Sequence, residues 1–255
     1  MTHWFPIAVS TYGAEIDRLF NIILVITGAI FVVVTATLLY FSFKYRHREG
    51  RQAYHIHGDM RVEAIWTLIP FLIVVGIAAI SMGPWLRLRD VDRFPPAELE
   101  VRVMAKQFEW NVTYPGPDNV LDTADDFTGR NRLHIPVDRV VYVHLGADDV
   151  IHSFFLPEFR VKQDAMPGMS IPVWFEAIAT GDYVLGCAEL CGLGHYRMRG
   201  TVTVHEVDDF DRWLQSGGTL ELAGNDGADG AATTRPIAAA DADDHAAHTG
   251  HEGEY

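Results

Sequence analysis

The stretch Cys187-Ala188-Glu189-Leu190-Cys191-Gly192-Leu193-Gly194-His195-Tyr196-Arg197-Met198 gathers both cysteines of a 255-residue chain with one histidine and one methionine. Thiolate, imidazole and thioether are the soft and borderline donors that select copper in a redox site. One thiolate with a histidine and a weak methionine describes a mononuclear blue-copper site. Two thiolates this close in sequence can instead bridge two copper ions. The second arrangement leaves one copper short of a nitrogen ligand, so a histidine must come from elsewhere. The candidate is His152, in Asp148-Asp149-Val150-Ile151-His152-Ser153-Phe154-Phe155, at the end of the strand-like run 140–145. The backbone carbonyl of Glu189, between the cysteines, can serve as the remaining weak ligand. Other chemistry competes for these residues. Two neighbouring cysteines in an oxidising compartment can form a disulfide, and a zinc site would use the thiolates but gain little from methionine. A lone histidine such as His152 is ordinarily structural.

The elements that must position these residues are short strands. Residues 99–104 alternate apolar and polar side chains, as a half-buried strand should. Further strands are expected at 108–114, 140–145, 172–177, 183–187 and 201–204, with turn-rich sequence between them. Several short strands in little more than a hundred residues predict an antiparallel Greek-key β-sandwich or barrel over residues 95–215. Residues 208–214 read as a terminal helix with an acidic first turn. Residues 115–126 form an acidic turn region that could bind calcium through hard oxygen ligands but lacks EF-hand spacing, which favours a solvated loop. Residues 216–255 read as an acidic disordered tail, rich in Ala, Gly and Asp. His245, His248 and His251 in that tail could hold copper weakly or be functionally silent.

Before the strands come two apolar runs, 19–43 and 62–88, each long enough to span the ~30 Å hydrocarbon core of a bilayer. Trp66 and Trp85 near the ends of the second are expected interfacial anchors. The first run is too long for a signal peptide, has no basic region before it, and is followed by the stop-transfer-like Lys44-Tyr45-Arg46-His47-Arg48. A transmembrane hairpin results. Residues 1–18 form an N-terminal periplasmic segment, and the basic loop 44–61 lies in the cytoplasm by the positive-inside tendency. Arg87, Arg89 and Arg93 pull against that orientation.

The metal loop, Asp149-Val150-Ile151-His152-Ser153 and Val161-Lys162-Gln163-Asp164-Ala165-Met166-Pro167-Gly168 together resemble subunit II of the haem–copper cytochrome c oxidases, over residues 15–215. The resemblance implies a membrane-anchored all-β chain: a two-helix transmembrane hairpin followed by a cupredoxin-like domain carrying the binuclear CuA centre. It implies copper ligation by His152, Cys187, the Glu189 carbonyl, Cys191, His195 and Met198, and a magnesium ion held at the subunit I boundary by the Glu189 carboxylate. Glu63 opens Glu63-Ala64-Ile65-Trp66-Thr67-Leu68-Ile69-Pro70, which resembles the start of the family's second helix, and this puts Glu63 at the entrance of a proton path. A carboxylate at a helix N-terminus is also favoured by the helix dipole alone. In Gln107-Phe108-Glu109-Trp110 the chain departs from the family, which has tryptophan at both aromatic positions and commonly receives electrons at the first. Phe108 stands there, so the donor contacts Phe108 or another aromatic such as Trp110 or Tyr114, or the donor itself differs. Trp110 also fits a core position.

The implied activity is that of a proton-pumping terminal oxidase. This chain would accept electrons from reduced cytochrome c, or from another small redox protein, and pass them to haem in subunit I, where oxygen becomes water. Haem would belong to the partner only, since no Cys-x-x-Cys-His sequence occurs. Expected partners are subunit I, subunit III, the soluble or membrane-bound donor and membrane lipid, with no nucleic acid. The expected location is the inner membrane of a prokaryote, the copper domain facing outward. A quinol-oxidase subunit would lack the copper ligands. Nitrous oxide reductase would need a further catalytic domain, and a copper chaperone would need only one helix. The formal net charge of −14 could steer a basic cytochrome c, or could reflect life in a salty medium.

Overall fold

In the computed structural model the described residues are 5–52, 55 and 57–219. The tail from residue 220, with His245, His248 and His251, lies outside them. Helix α1 (Gly13–Lys44) and helix α2 (Met60–Arg89) are each roughly 45 Å long at 1.5 Å per residue, more than the hydrocarbon core requires. Both start before their apolar runs. The first turns of α1 are polar and are used for contacts, with Glu15 bound to Arg87 and Asp17 to Arg160. At the head of α2, Asp59 caps the helix by accepting from Arg61 N at 2.9 Å. Glu63 sits in that first turn and is exposed.

Ten strands follow: β1 (Leu99–Lys106), β2 (Glu109–Tyr114), β3 (Phe127–Arg130), β4 (Arg132–Pro136), β5 (Val140–Ala147), β6 (His152–Leu156), β7 (Val161–Ala165), β8 (Ile171–Glu176), β9 (Gly181–Cys187) and β10 (Arg199–His205), then helix α3 (Val207–Gln215). They form two five-stranded sheets, ordered β3-β2-β1-β5-β8 and β4-β10-β9-β6-β7. The alternation in β1 buries Leu99, Val101, Val103 and Ala105. Trp110, Tyr114, Leu133, Phe154, Phe175 and Leu185 meet them wholly buried between the sheets.

Three expectations need correction. The sheets are mixed rather than antiparallel, because β1 runs parallel to β5 and β4 parallel to β10. His152 does not end the strand at 140–147; it opens β6, in the opposite sheet. Strand β2 starts at Glu109, leaving Phe108 in the turn that joins β1 to β2. Strands β3, β4, β6 and β7 lie outside the expected set; β4 does alternate, burying Leu133 and Ile135, but over only five residues. Strand β3 is four residues with a glycine, β7 is mostly polar at an edge, and β6 is buried on both faces apart from Phe155.

The hairpin and the sandwich are joined by specific bonds. Trp174 Nε1 donates to Arg87 O (3.2 Å), Arg89 donates to Lys162 O (3.1 Å) and to Gln163, and Tyr12 OH donates to Trp174 O (3.3 Å). The Arg160 guanidinium, almost buried, bridges Asp17 (2.7 and 3.0 Å), Pro6 O (2.7 Å) and Pro157 O (2.5 Å).

Candidate metal centre

The proposed donors converge at one end of the sandwich. His152 is the first residue of β6 and Cys187 the last of β9; the two strands pair through Phe154 and Cys187. The loop from Cys187 returns to Met198, immediately before β10, and is closed where Cys187 N donates to Met198 O at 3.2 Å. Strand ends thus fix His152, Cys187 and Met198, a short 3-10 turn at His195–Arg197 presents His195, and Cys191 lies in the loop between.

His152 Nδ1 lies 3.9 Å from Cys187 Sγ, and the two sulfurs are 3.9 Å apart. Cys191 Sγ is 3.6 Å from His195 Nδ1 and 3.7 Å from Met198 Sδ, while the Glu189 carbonyl oxygen is 3.2 Å from Cys187 Sγ. A disulfide would need the sulfurs about 2.05 Å apart, and both cysteines are free thiols. Ligands that share an ion at roughly 2.0–2.3 Å stand apart by about these distances. His152 Nδ1 or Nε2 and the two sulfurs all fall within 4.8 Å of one another.

The surroundings suit a cation. His152, Cys191 and Met198 are buried, and Cys187 and His195 are half-buried. Burial, with the neighbouring Cys187 sulfur, pushes the Cys191 thiol up to about 11. The Cys191 thiol therefore ionises near neutral pH only if a positive ion compensates it. A soft donor set of two sulfurs, two imidazoles and a thioether selects copper over zinc.

Positioning groups not foreseen in the sequence stand behind these donors. Asp149 Oδ1 accepts from His152 Nε2 (2.9 Å) and from Val150 N (2.7 Å), while its Oδ2 accepts from Gln107 N (2.8 Å). Burial alone would raise this carboxyl, but bonds from His152 and the two backbone amides outweigh it and hold Asp149 below its usual range. With Nε2 bonded in this way, Nδ1 is left facing the sulfurs. Gln107 Nε2 donates to Cys191 O at 2.5 Å, Ala188 N to Ser153 O at 3.0 Å, and Ser153 Oγ to Asp164 Oδ1 at 2.7 Å. The spacing of Asp149 three residues before His152 was the available signal.

Phe108 is half-buried and lies against the metal loop; a Cβ on Gly194 would meet its ring at 2.4–2.7 Å. Trp110 is wholly buried, 6.2 Å from the His152 ring, and its Nε1 has no hydrogen-bond partner among the described residues. Tyr114 is also wholly buried, its hydroxyl accepting from His134 N. Neither offers a surface to a docking protein. The Glu189 side chain is exposed beside the loop. In the acidic turn, Asp122 is bound by Arg102 (2.7 Å), and Asp125 and Asp126 accept from Thr123 Oγ1. Asp125 and Asp126 are thus served within the loop and Asp122 from β1.

Residues 1–83 match the family described as cytochrome c oxidase subunit II, transmembrane domain, and residues 99–205 match cytochrome c oxidase subunit II, periplasmic domain. Among curated proteins, the alternative cytochrome c oxidase subunit 2 of Bradyrhizobium diazoefficiens is 35% identical over 234 residues, covering 83% of each chain. Cytochrome c oxidase subunit 2 of Thermostichus vulcanus is 31% identical over 270 residues, covering 86% of this chain and 80% of that one. Among solved structures, the periplasmic domain of subunit II of cytochrome oxidase from Bradyrhizobium japonicum is 33% identical, covering 48% of this chain and 95% of that chain with a TM-score of 0.43.

Proposed function

We propose, from the premise that this chain belongs to the cytochrome c oxidase subunit II family, that it is the electron-accepting subunit of a proton-pumping terminal oxidase. The observation that carries the reading is the convergence of His152, Cys187, Cys191, His195 and Met198 at one end of the sandwich, with neighbouring donors 3.6–3.9 Å apart. When bound by these side chains and the Glu189 carbonyl, a copper pair would supply one-electron relay between the donor and the haem of subunit I. The chain's own part is to keep the donors still. Asp149 fixes the His152 ring, Gln107 fixes the Cys191 carbonyl, and the Cys187–Met198 backbone bond closes the loop, so little rearranges when charge changes. Burial of Cys191 and Met198 excludes water from their two sulfurs.

The Glu189 carboxylate faces outward from the same loop, where it would hold a magnesium ion against subunit I. Glu63, exposed in the first turn of α2, is the residue proposed to collect protons at the opposite side of the bilayer. The basic loop between α1 and α2 supports a cytoplasmic location for that turn in a prokaryotic inner membrane, with the sandwich in the periplasm and subunits I and III as membrane neighbours. Phe108 packs on the metal loop at Gly194, and we assign it the donor contact, with the exposed Tyr196 of the loop beside the site.

Electron paramagnetic resonance of the copper-loaded complex tests the reading. The expected signal is one electron shared between two equivalent coppers, lost in Cys191→Ser. A mononuclear blue-copper signal, or a shared signal that survives in Cys191→Ser, would overturn it. For the proton path, Glu63→Gln should slow turnover and proton uptake while the copper signal stays unchanged.

A further inference from the structure

We propose that Asp164 is a positioning residue for the metal centre, acting through Ser153. The inference rests on the copper ligation proposed above and goes beyond it by naming what sets the frame of the ligands. Ser153 follows His152 in β6 and is wholly buried. A buried hydroxyl needs an acceptor, and the one it finds is Asp164 Oδ1 at 2.7 Å. Its carbonyl accepts at 3.0 Å from the backbone amide of Ala188, the residue after Cys187. Ser153 is therefore peptide-bonded to one proposed ligand and hydrogen-bonded to the chain neighbour of another.

Strand register sets Asp164 in place. Strands β6 and β7 run antiparallel, with His152 opposite Ala165 and Ser153 opposite Asp164, so the side chains of each pair leave the same face. Lys162, two residues back on that face, donates from Nζ to the same Oδ1 at 3.0 Å. The bonds from Ser153 and then Lys162 hold the Asp164 carboxyl below its usual range, against the opposing effect of burial. A charged acceptor makes the stronger bond. Strand β7 is the outermost of its sheet and is braced from the membrane hairpin. Arg89, at the end of α2, donates to Lys162 O and to Gln163, and Gln163 Nε2 donates to Asp164 O at 3.3 Å.

This role differs from that of Asp149. Asp149 sits in the loop before β6 and orients the His152 ring through Nε2, but it does not hold the strand end. Ser153 holds that end against the metal loop, through the Ala188 bond and the neighbouring Phe154–Cys187 pairing. Among the described residues no hydrogen bond joins Asp164 to a proposed ligand, so its influence passes through Ser153. Without Asp164 the Ser153 hydroxyl must turn to another acceptor, and the peptide it shares with His152 moves with it. The separation of His152 Nδ1 from Cys187 Sγ, 3.9 Å here, then changes. Metal sites need their donors held to within about 0.5 Å.

The test uses the detergent-solubilised full chain loaded with copper. Asp164→Ala and Ser153→Ala should each alter the copper splitting in electron paramagnetic resonance. Each should also weaken copper retention against a chelator by up to about tenfold, the low end for groups that stand behind metal ligands. The double variant should be no worse than either single one, because both changes remove the same bond. Asp164→Asn keeps an oxygen acceptor for Ser153 and should restore the unaltered signal and retention. The proposal is overturned if Asp164→Asn matches Asp164→Ala, which would assign the effect to charge, or if the losses add in the double variant. It is overturned too if Asp164→Ala lowers only the thermal midpoint of the metal-free chain and leaves signal and retention unchanged, the mark of a structural role. Should Asp164→Ala fail to fold, Ser153→Ala against Asp164→Asn decides by the same two measurements. The functional reading fails separately: the unaltered chain would then give no shared-electron signal, while copper retention still reports on Asp164.

Discussion

Asp149 does for His152 what no residue of the metal loop does for its own ligands: it takes the far ring nitrogen and leaves the near one for the sulfurs. Asp149→Asn keeps the size but replaces a charged acceptor by an amide. Loss of such an outer partner typically costs 10–100-fold in metal affinity, so a chelator competition should show weaker copper retention with the shared-electron signal still formed at saturation. Met198 is a different case. Its thioether sits 3.7 Å from Cys191 Sγ and is buried, and a long thioether bond tunes potential more than it contributes affinity. Met198→Leu should keep copper and shift the midpoint potential in a redox titration.

Between elements, two contacts decide how the loop end is held. Gly194 is close-packed on Phe108, and an added methyl would fall within 2.4–2.7 Å of the ring. Its φ of −89° is ordinary, so the obstacle is steric and not conformational. Gly194→Ala should cost roughly 1–3 kcal/mol in thermal or denaturant unfolding, and Phe108→Ala in the same chain should recover part of it. Further along β4 and β10, His134 Nδ1 and His205 Nε2 are 2.8 Å apart, with ring planes only 9° apart and centroids at 5.1 Å. The rings therefore meet edge to edge, sharing one hydrogen bond. Burial, then His205 and Arg132, push His134 down to about 4, against a weaker pull upward from Asp182. The unfolded chain binds the proton more readily, near 6.5. This pair's contribution is present above that value and is lost as pH falls from about 6.5 through about 4. His134→Gln should flatten the pH dependence of unfolding in that window.

The described residues form a membrane hairpin joined to a sandwich by a few polar contacts and by apolar packing such as Tyr12 on Trp174. Arg160 is central among them, because one nearly buried guanidinium joins α1, the N-terminal segment and the β6–β7 turn. Arg160→Ala leaves Asp17 and two carbonyls without their donor. Breaking such a pair costs roughly 3 kcal/mol, which should appear as a lower thermal midpoint of the solubilised chain. A second tie, Arg87 to Glu15 at 2.9 Å, is more than a third exposed on both sides and should contribute little.

Much of this was legible in the chain itself. The two apolar runs, the alternation in β1 and the spacing of Cys187, Cys191, His195 and Met198 are local properties, and local sequence is enough to specify a helix, a half-buried strand or a loop of donors. What the sequence left open depends on which strands lie side by side. Of the four missed strands, β3 and β4 are too short for their alternation to stand out, β7 is mostly polar, and β6 is buried on both faces apart from Phe155. Only tertiary structure put His152 in the sheet opposite its expected strand and Trp110 out of a donor's reach. It also set Gln107, from the turn after β1, against the Cys191 carbonyl of the metal loop. Spacing along a chain fixes neighbours within one strand; strand pairing decides which strand ends meet, and the metal donors lie at those ends.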